Sequence, residues 1–207
     1  MKLVVFGASG GIGAQVVEQA LAAGHWVTAV AHHAPTVTPA HARLEVLQGD
    51  VLEPGMVREA IAGKEAVVSA IGVHHRGPTT VYSQGVANMV QAMQSAEVCR
   101  LLCVSASGLE PGPLWQRVIA RPALWALLKE MYTDLVRMEA VVESSQVDWT
   151  ILRPPALTNR PRTGQYQVAL NKNLSRGTFL SRADLADYIV SHLNDVATYC
   201  ARVEIAN

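Results

Sequence analysis

Short runs of apolar and β-branched residues alternate along the chain with longer segments whose apolar positions recur every three or four residues. Leu3 to Phe6 is apolar on both faces and predicts a buried strand. Ile12 to Ala23 places Ile12, Val16 and Ala20 on one stripe, and Gly24 stops that helix. Trp26 to Ala31 predicts the second strand and Leu44 to Leu47 the third. Pro54 opens a helix through Ala62, and Ala66 to Ile71 is a fourth strand closed by Gly72. A long helix is expected from Pro78 through Ala96, with Val81, Gly85, Met89, Ala92 and Ala96 on its buried stripe. Leu101 to Val104 and Trp149 to Leu152 read as strands five and six, separated by a helix from Arg121 to Ser144. Arg182 to Leu193 is the last helix, and Val203 to Ile205 a final strand.

Strands that alternate with helices must be joined by crossovers, which makes them parallel and covers both faces of the sheet. The expectation is an α/β fold: a doubly wound, Rossmann-type parallel sheet. One domain spans 1–207, with a small C-terminal extension on the substrate side. Its ligand belongs at the carboxyl ends of the strands, where strand order reverses.

The segment between the first strand and the first helix carries the most chemistry. Gly7-Ala8-Ser9-Gly10-Gly11-Ile12-Gly13 has the spacing G-x-x-G-x-x-G, in the strand–turn–helix context that gives such a motif meaning. The missing side chains allow a tight turn at Gly7, approach of backbone to a diphosphate at Gly10, and close helix–sheet packing at Gly13. The helix start then offers open N–H donors and a positive dipole end to phosphate oxygens. A dinucleotide is the expected ligand.

The second strand ends Val30-Ala31-His32-His33, with no carboxylate to bond the 2′-hydroxyl of NAD. Histidine carries only part of a charge near neutral pH, so its help to a 2′-phosphate is modest. NADP is the expected coenzyme. Asp50 and Val51, after the third strand, either meet the adenine or begin the next helix, with Asp50 as its cap. The small residues Ala70, Ile71 and Gly72 let the coenzyme lie across the strand tips.

The 207 residues hold 17 Lys+Arg against 17 Asp+Glu, a balance that excludes binding to nucleic acid by phosphate neutralisation. Half of the residues are apolar, which excludes disorder. Three cysteines without a CxxC pair make neither a disulfide framework nor a thiolate zinc site. A cytoplasmic protein is expected. No apolar run nears the roughly 18–20 residues that span a bilayer, and the N-terminal apolar stretch is too short for a signal peptide.

These features resemble the atypical short-chain dehydrogenase/reductase family, NAD(P)-binding and NmrA-like, and within it the biliverdin and flavin reductase branch. The resemblance covers nearly the whole chain. It rests on the glycine turn, Gly49-Asp50-Val51, Gly77-Pro78-Thr79-Thr80-Val81 with Gly85, Ser105-Ala106 and Arg137-Met138. Further on it includes Arg153-Pro154-Pro155, Gly164-Gln165-Tyr166 and Leu180-Ser181 with Asp184-Leu185. It implies hydride transfer from NADPH to a conjugated acceptor such as a flavin or linear tetrapyrrole. The family's serine falls on Ser105, and Pro154, Pro155, Ala156 and Leu157 would meet the nicotinamide carboxamide through backbone. Two departures stand out: the branch has histidine where this chain has Ala156, and a basic side chain where it has His32.

The residues narrow the chemistry further. Tyrosine-dependent dehydrogenases use Y-x-x-x-K, in which lysine lowers the tyrosine pKa. Tyr132 is followed at that spacing by Val136, so it reads as a packing residue. A conjugated acceptor needs hydride and stacking, and takes its proton from water. Ser105 orients the nicotinamide, bonds a substrate heteroatom, or satisfies local backbone. From Ile151 to Arg182 there are six basic residues, Arg176 among them, and no Asp or Glu; this is a solvated face or an attraction for anionic substrate groups. His74-His75-Arg76, beyond the fourth strand, is placed for the same role, with His75 and Arg76 as substrate candidates. No metal set is evident. The segment around Trp115 and Trp125 forms either a lid or local packing. The expected partner is a small conjugated molecule, with no nucleic acid and no membrane, acting on a monomer or weak dimer. The other reading is a non-catalytic NADP sensor.

Overall fold

The computed structural model describes residues 1–32, 41–73, 77–109, 121–174 and 177–207, with the backbone alone for 121–128. Ten strands and five helices are described: β1 (Lys2–Phe6), α1 (Gly11–Ala22), β2 (Trp26–Ala31), β3 (Leu44–Gln48), α2 (Pro54–Ile61), β4 (Ala66–Ser69), α3 (Val81–Ser95) and β5 (Arg100–Val104). Then come α4 (Arg121–Glu143), β6 (Asp148–Arg153), β7 (Ala156–Thr158), β8 (Gln167–Leu170), β9 (Phe179–Ser181), α5 (Arg182–Ser191) and β10 (Ala201–Ala206). The main sheet runs β3-β2-β1-β4-β5-β6-β10-β8, the doubly wound order, and reverses between β1 and β4.

The apolar runs explain the layers. Alternate residues of β1 point to opposite faces: Val4 and Phe6 join a core under α2, α3 and α4, while Leu3 and Val5 join a second core under α1 and α5. Both cores are built of buried apolar side chains, and each large one removed from water adds about 1.5–3 kcal/mol. At the amino ends of β5 and β6, buried Arg100 donates to Asp148 O, Thr150 Oγ1, His192 O, Leu193 O and Thr198 Oγ1. Cys99 and Cys200, both exposed, sit just before β5 and β10 at this same end. Cys103 is fully buried in β5, and burial pushes its thiol up to about 12.

The structure corrects the sequence reading in four places. The sheet is not wholly parallel, because β8 pairs antiparallel with β10 at the edge. β7 and β9 form a separate two-stranded parallel sheet that no apolar run marks. β4 ends at Ser69 rather than Ile71, although Ala70 still donates to Phe6 O at 2.9 Å. α3 begins at Val81 rather than Pro78. The buried Asp134 of α4 accepts from the Tyr82 and Ser83 amides (2.9 and 3.4 Å), and from the Ser83 hydroxyl, and so caps α3 from a distant element.

Candidate functional site

The site begins where β1 turns into α1. Gly7 takes φ +79°, and both Gly7 N and Ala8 N donate to Val30 O (3.1 and 3.0 Å), which fixes the turn against β2. A Cβ on Gly7 would lie 2.4 Å from Ala70 O, so β4 closes on a backbone that only glycine supplies. A Cβ on Gly13 would lie 2.2 Å from Gly7 O; the helix packs directly on the turn. Gly10 precedes α1, and no side chain caps that helix. Its first-turn N–H groups are therefore left for water or a ligand.

A cleft of about 520 Å³ opens along the carboxyl ends of β1, β2, β3 and β4. It lies at the reversal of strand order and is large enough for a coenzyme. The expected residues Gly7, Ser9, Gly10, Gly11 and Ile12 line it from the turn, His32 and Asp50 from β2 and β3, and Val51 with Ala70, Ile71 and Gly72 from the far side. Leu157 of β7 faces them. Gly13 lies deeper, under Gly7. Pro154, Pro155 and Ala156 form the link from β6 to Leu157, with Pro154 O accepting from Ser107 N at 2.9 Å. His33, His75, Arg76 and Arg176 lie outside the described residues, as does Trp115; only backbone is described at Trp125.

Two details refine the expectations. Asp50 does not cap α2. Its Oδ1 accepts from Leu52 N at 2.9 Å, a local turn, and its Oδ2 stands 3.7 Å from His32 Nε2. The carboxylate is a like charge to a 2′-phosphate placed beside His32 and opposes it. Ser105 is buried, and its hydroxyl donates to Glu139 Oε1 at 2.6 Å. Glu139 in turn accepts from Arg153 Nε at 3.0 Å and Nη2 at 2.5 Å. All three are under a tenth exposed. With its one proton given to Glu139, the Ser105 oxygen has only lone pairs to offer a ligand.

Tyr132 is buried in the core under α4, and burial raises its pKa. Val136 at the Y-x-x-x-K position is exposed. On the other rim, buried Asp184 organises the turn after β7. It accepts from Thr163 N (2.7 Å), Gly164 N (2.9 Å), Thr163 Oγ1 and Ser181 Oγ. Ser181 Oγ also accepts from Asp184 N, capping α5. Burial pushes the Asp184 carboxyl up, but the Gly164, Thr163 and Ser181 donors outweigh it and hold the pKa below its ordinary value. Tyr166 donates to Asp187 at 2.8 Å. The Gly164-Gln165-Tyr166 segment is thereby tied to α5.

Sequence reasoning missed several cleft residues: Val30, Gly49, Val73, Val81 and Arg182. Val30, Gly49 and Val73 lie within two residues of predicted ones, and Val81 starts α3, whose apolar stripe was expected. Arg182 is not within two residues of any predicted site residue. Its signal was a basic residue at the start of the last helix, and its position depends on β9, which the pattern did not reveal.

Over residues 7–196 the chain matches the NAD(P)H-binding family, and it belongs to that family. It is 26% identical over 224 residues to the UPF0659 protein YMR090W of Saccharomyces cerevisiae, covering 100% of this chain and 93% of that one. Among solved structures it is similar to a short-chain dehydrogenase/reductase from Veillonella parvula in complex with NADP. That likeness has a TM-score of 0.83 at 18% identity, over 100% of this chain and 94% of that one. It is also similar to ChuY, an anaerobilin reductase from Escherichia coli O157:H7. There the TM-score is 0.79 at 25% identity, covering 100% of this chain and 97% of that one. The family match bears out the expected NAD(P)-binding domain, and these likenesses bear out its Rossmann-type fold.

Proposed function

We propose that this protein is an NADPH-dependent reductase that passes hydride to a flavin or similar conjugated acceptor, linear tetrapyrroles included. The observation that carries the reading is a coenzyme-sized cleft whose described wall holds no Tyr–Lys acid pair. An alcohol or ketone site of the tyrosine-dependent kind uses such a pair. A conjugated acceptor does not, because its proton comes from water.

The chain's residues divide the work. Main-chain N–H groups of the first turn of α1, from Gly11 to Gly13, hold the diphosphate, while Gly10 N donates to Gly7 O and its missing side chain leaves the approach open. Asp50 and Val51 take the adenine end, and His32 with His33 the 2′-phosphate. Ala70, Ile71 and Gly72 give a flat floor. Pro154 to Leu157 orient the nicotinamide through backbone, and Ser105 accepts from an N–H of nicotinamide or acceptor. Glu139 and Arg153 hold the Ser105 hydroxyl in that role. The bound coenzyme supplies the hydride. His75, Arg76 and Arg176 would attract anionic groups of the acceptor. NADPH is preferred to NADH because β2 itself ends in histidine rather than a carboxylate, a preference that Asp50, 3.7 Å from His32, reduces.

Support comes from the NADP held by the Veillonella parvula neighbour and from the anaerobilin reductase activity named for ChuY. The test mixes protein, NADPH and FMN and follows absorbance at the nicotinamide band. Turnover that is faster with NADPH than NADH is the expected result. Ser105→Ala should lower kcat/KM by about tenfold, the value of one hydrogen bond in a dry site. A second reading, an NADP sensor without turnover, draws on the commitment of Ser105's proton to Glu139. Tight NADP binding with no turnover across flavins, quinones and bilins would select it.

A further inference from the structure

We propose that Arg182 is the cationic clamp for the coenzyme's diphosphate, and that the same guanidinium ties that diphosphate to the β7 segment. The proposal rests on the reading of the cleft as the dinucleotide site. Arg182 is the first residue of α5, half-buried, and lines the cleft. α1 and α5 pack on the same face of the sheet, joined by Gln19 Nε2 donating to Ala183 O at 2.8 Å. That bond comes from the last turn of α1; the two amino ends meet through the Arg182 side chain, which reaches from the start of α5 to Gly11 at the start of α1. Arg182 sits between them: its Cδ and Nε are 2.7 and 2.9 Å from where a Cβ on Gly11 would be.

This is an unfavourable place for a cation. Two helix starts each present the positive end of a dipole, and a positive side chain there is repelled by both. Among the described residues no carboxylate lies within ion-pair distance of Arg182. The acidic residue of the first turn of α5, Asp184, is bonded instead to Thr163, Gly164 and Ser181. The bonds of Arg182 go to neutral acceptors: Nη1 donates to Asn159 Oδ1 at 2.7 Å and to Leu157 O at 3.5 Å. The Nε–H and Nη2 donors remain for an anion. A guanidinium is a forked donor suited to phosphate oxygens, and an anion placed against both helix starts removes the like-sign crowding. The anion that belongs beside Gly11 in this cleft is the diphosphate. Because Nη1 already holds the backbone of Leu157, coenzyme uptake fixes the segment that faces the nicotinamide.

The test is calorimetric binding of NADP⁺, ADP-ribose and adenosine 2′-monophosphate to the wild-type protein, Arg182→Gln and Arg182→Lys. Arg182→Gln is expected to weaken NADP⁺ and ADP-ribose by about ten- to a hundredfold, the range of charge-assisted hydrogen bonds, while adenosine 2′-monophosphate changes by less than about twofold. Arg182→Lys keeps the charge but loses the fork, and should fall between the two. Circular dichroism checks that each variant is folded. If the Gln variant does not fold, the ADP-ribose and 2′-monophosphate arms of the Lys variant decide the matter in the same way. Wild-type binding with no loss in a folded variant overturns the clamp and leaves the coenzyme reading standing. An equal loss for adenosine 2′-monophosphate also overturns it. A wild-type protein that binds no dinucleotide overturns the coenzyme reading, and the clamp with it.

Discussion

The two ends of the sheet are built by different means. At β1, β2 and β4 the cleft is made by main chain: Val30 O receives two amides of the turn, Ala70 donates to Phe6 O, and glycine is required by contacts under 2.5 Å. At β6, β10 and β8 the work is done by polar side chains reaching across the sequence. Asp184 gathers Thr163 and Gly164, Glu204 accepts from Leu174 N at 2.6 Å, and Asn207 donates to Gln165 O at 2.9 Å. The first kind of construction tolerates no added atom. The second tolerates changes of shape but depends on ionisation and on keeping both partners of each bond.

The largest expected effect lies between the two ends. Glu139→Ala strips Arg153 of a buried bidentate carboxylate and frees the Ser105 hydroxyl. Urea unfolding should register a loss of about 3–5 kcal/mol. A loss below about 1 kcal/mol would mean that water replaces the carboxylate without cost.

Next comes Gly13→Ala. Its Cβ would collide with Gly7 O, and a forced backbone shift costs about 3 kcal/mol at the upper end of overpacking. Dinucleotide binding should disappear along with the stability. A variant that keeps wild-type affinity would break the contrast drawn above.

Asp184→Asn addresses the other end, at about 1–3 kcal/mol for an imperfectly replaced set of buried bonds. The folded-state pKa of Asp184 is depressed. Its contribution is therefore complete above the ordinary carboxylate value of 3.8 and fades as pH falls through the lower folded value. The wild-type acid limb of a stability–pH curve should be steeper than that of Asp184→Asn.

The smallest effect is at His32. His32→Arg places a full charge near the 2′-phosphate, partly offset by Asp50 at the end of β3. NADPH affinity should rise about two- to fivefold, with NADH unchanged, the size of one partly exposed ion pair.

The legibility of the chain follows the same division. β1, α1 and the glycine turn were readable because an apolar run, three glycines and a helical stripe are consecutive in sequence. His32, Asp50 and Ala70 followed because each sits at or just past a strand end. β7, β8 and β9 were not readable. They have three or four residues each, and partners such as Phe179 for Ala156 lie far along the chain. The start of α3 was misplaced because its cap, Asp134, belongs to another helix. Ser105 was found by resemblance, but its partner Glu139 was not, since one acidic residue within a long helix carries no local signal. Arg182 was visible as a charge and invisible as a neighbour of Gly11.

Cys99 and Cys200 give the protein a convenience for experiment. Both thiols are reachable and sit at the amino ends of β5 and β10, about 17 Å of strand from the opposite tips. Cys103, sealed in the interior, stays out of reach of labelling reagents. Maleimide dyes attached at the two outer positions would ride on the floor of the molecule, leaving the coenzyme mouth unobstructed for tethering to a surface or for distance measurements during turnover.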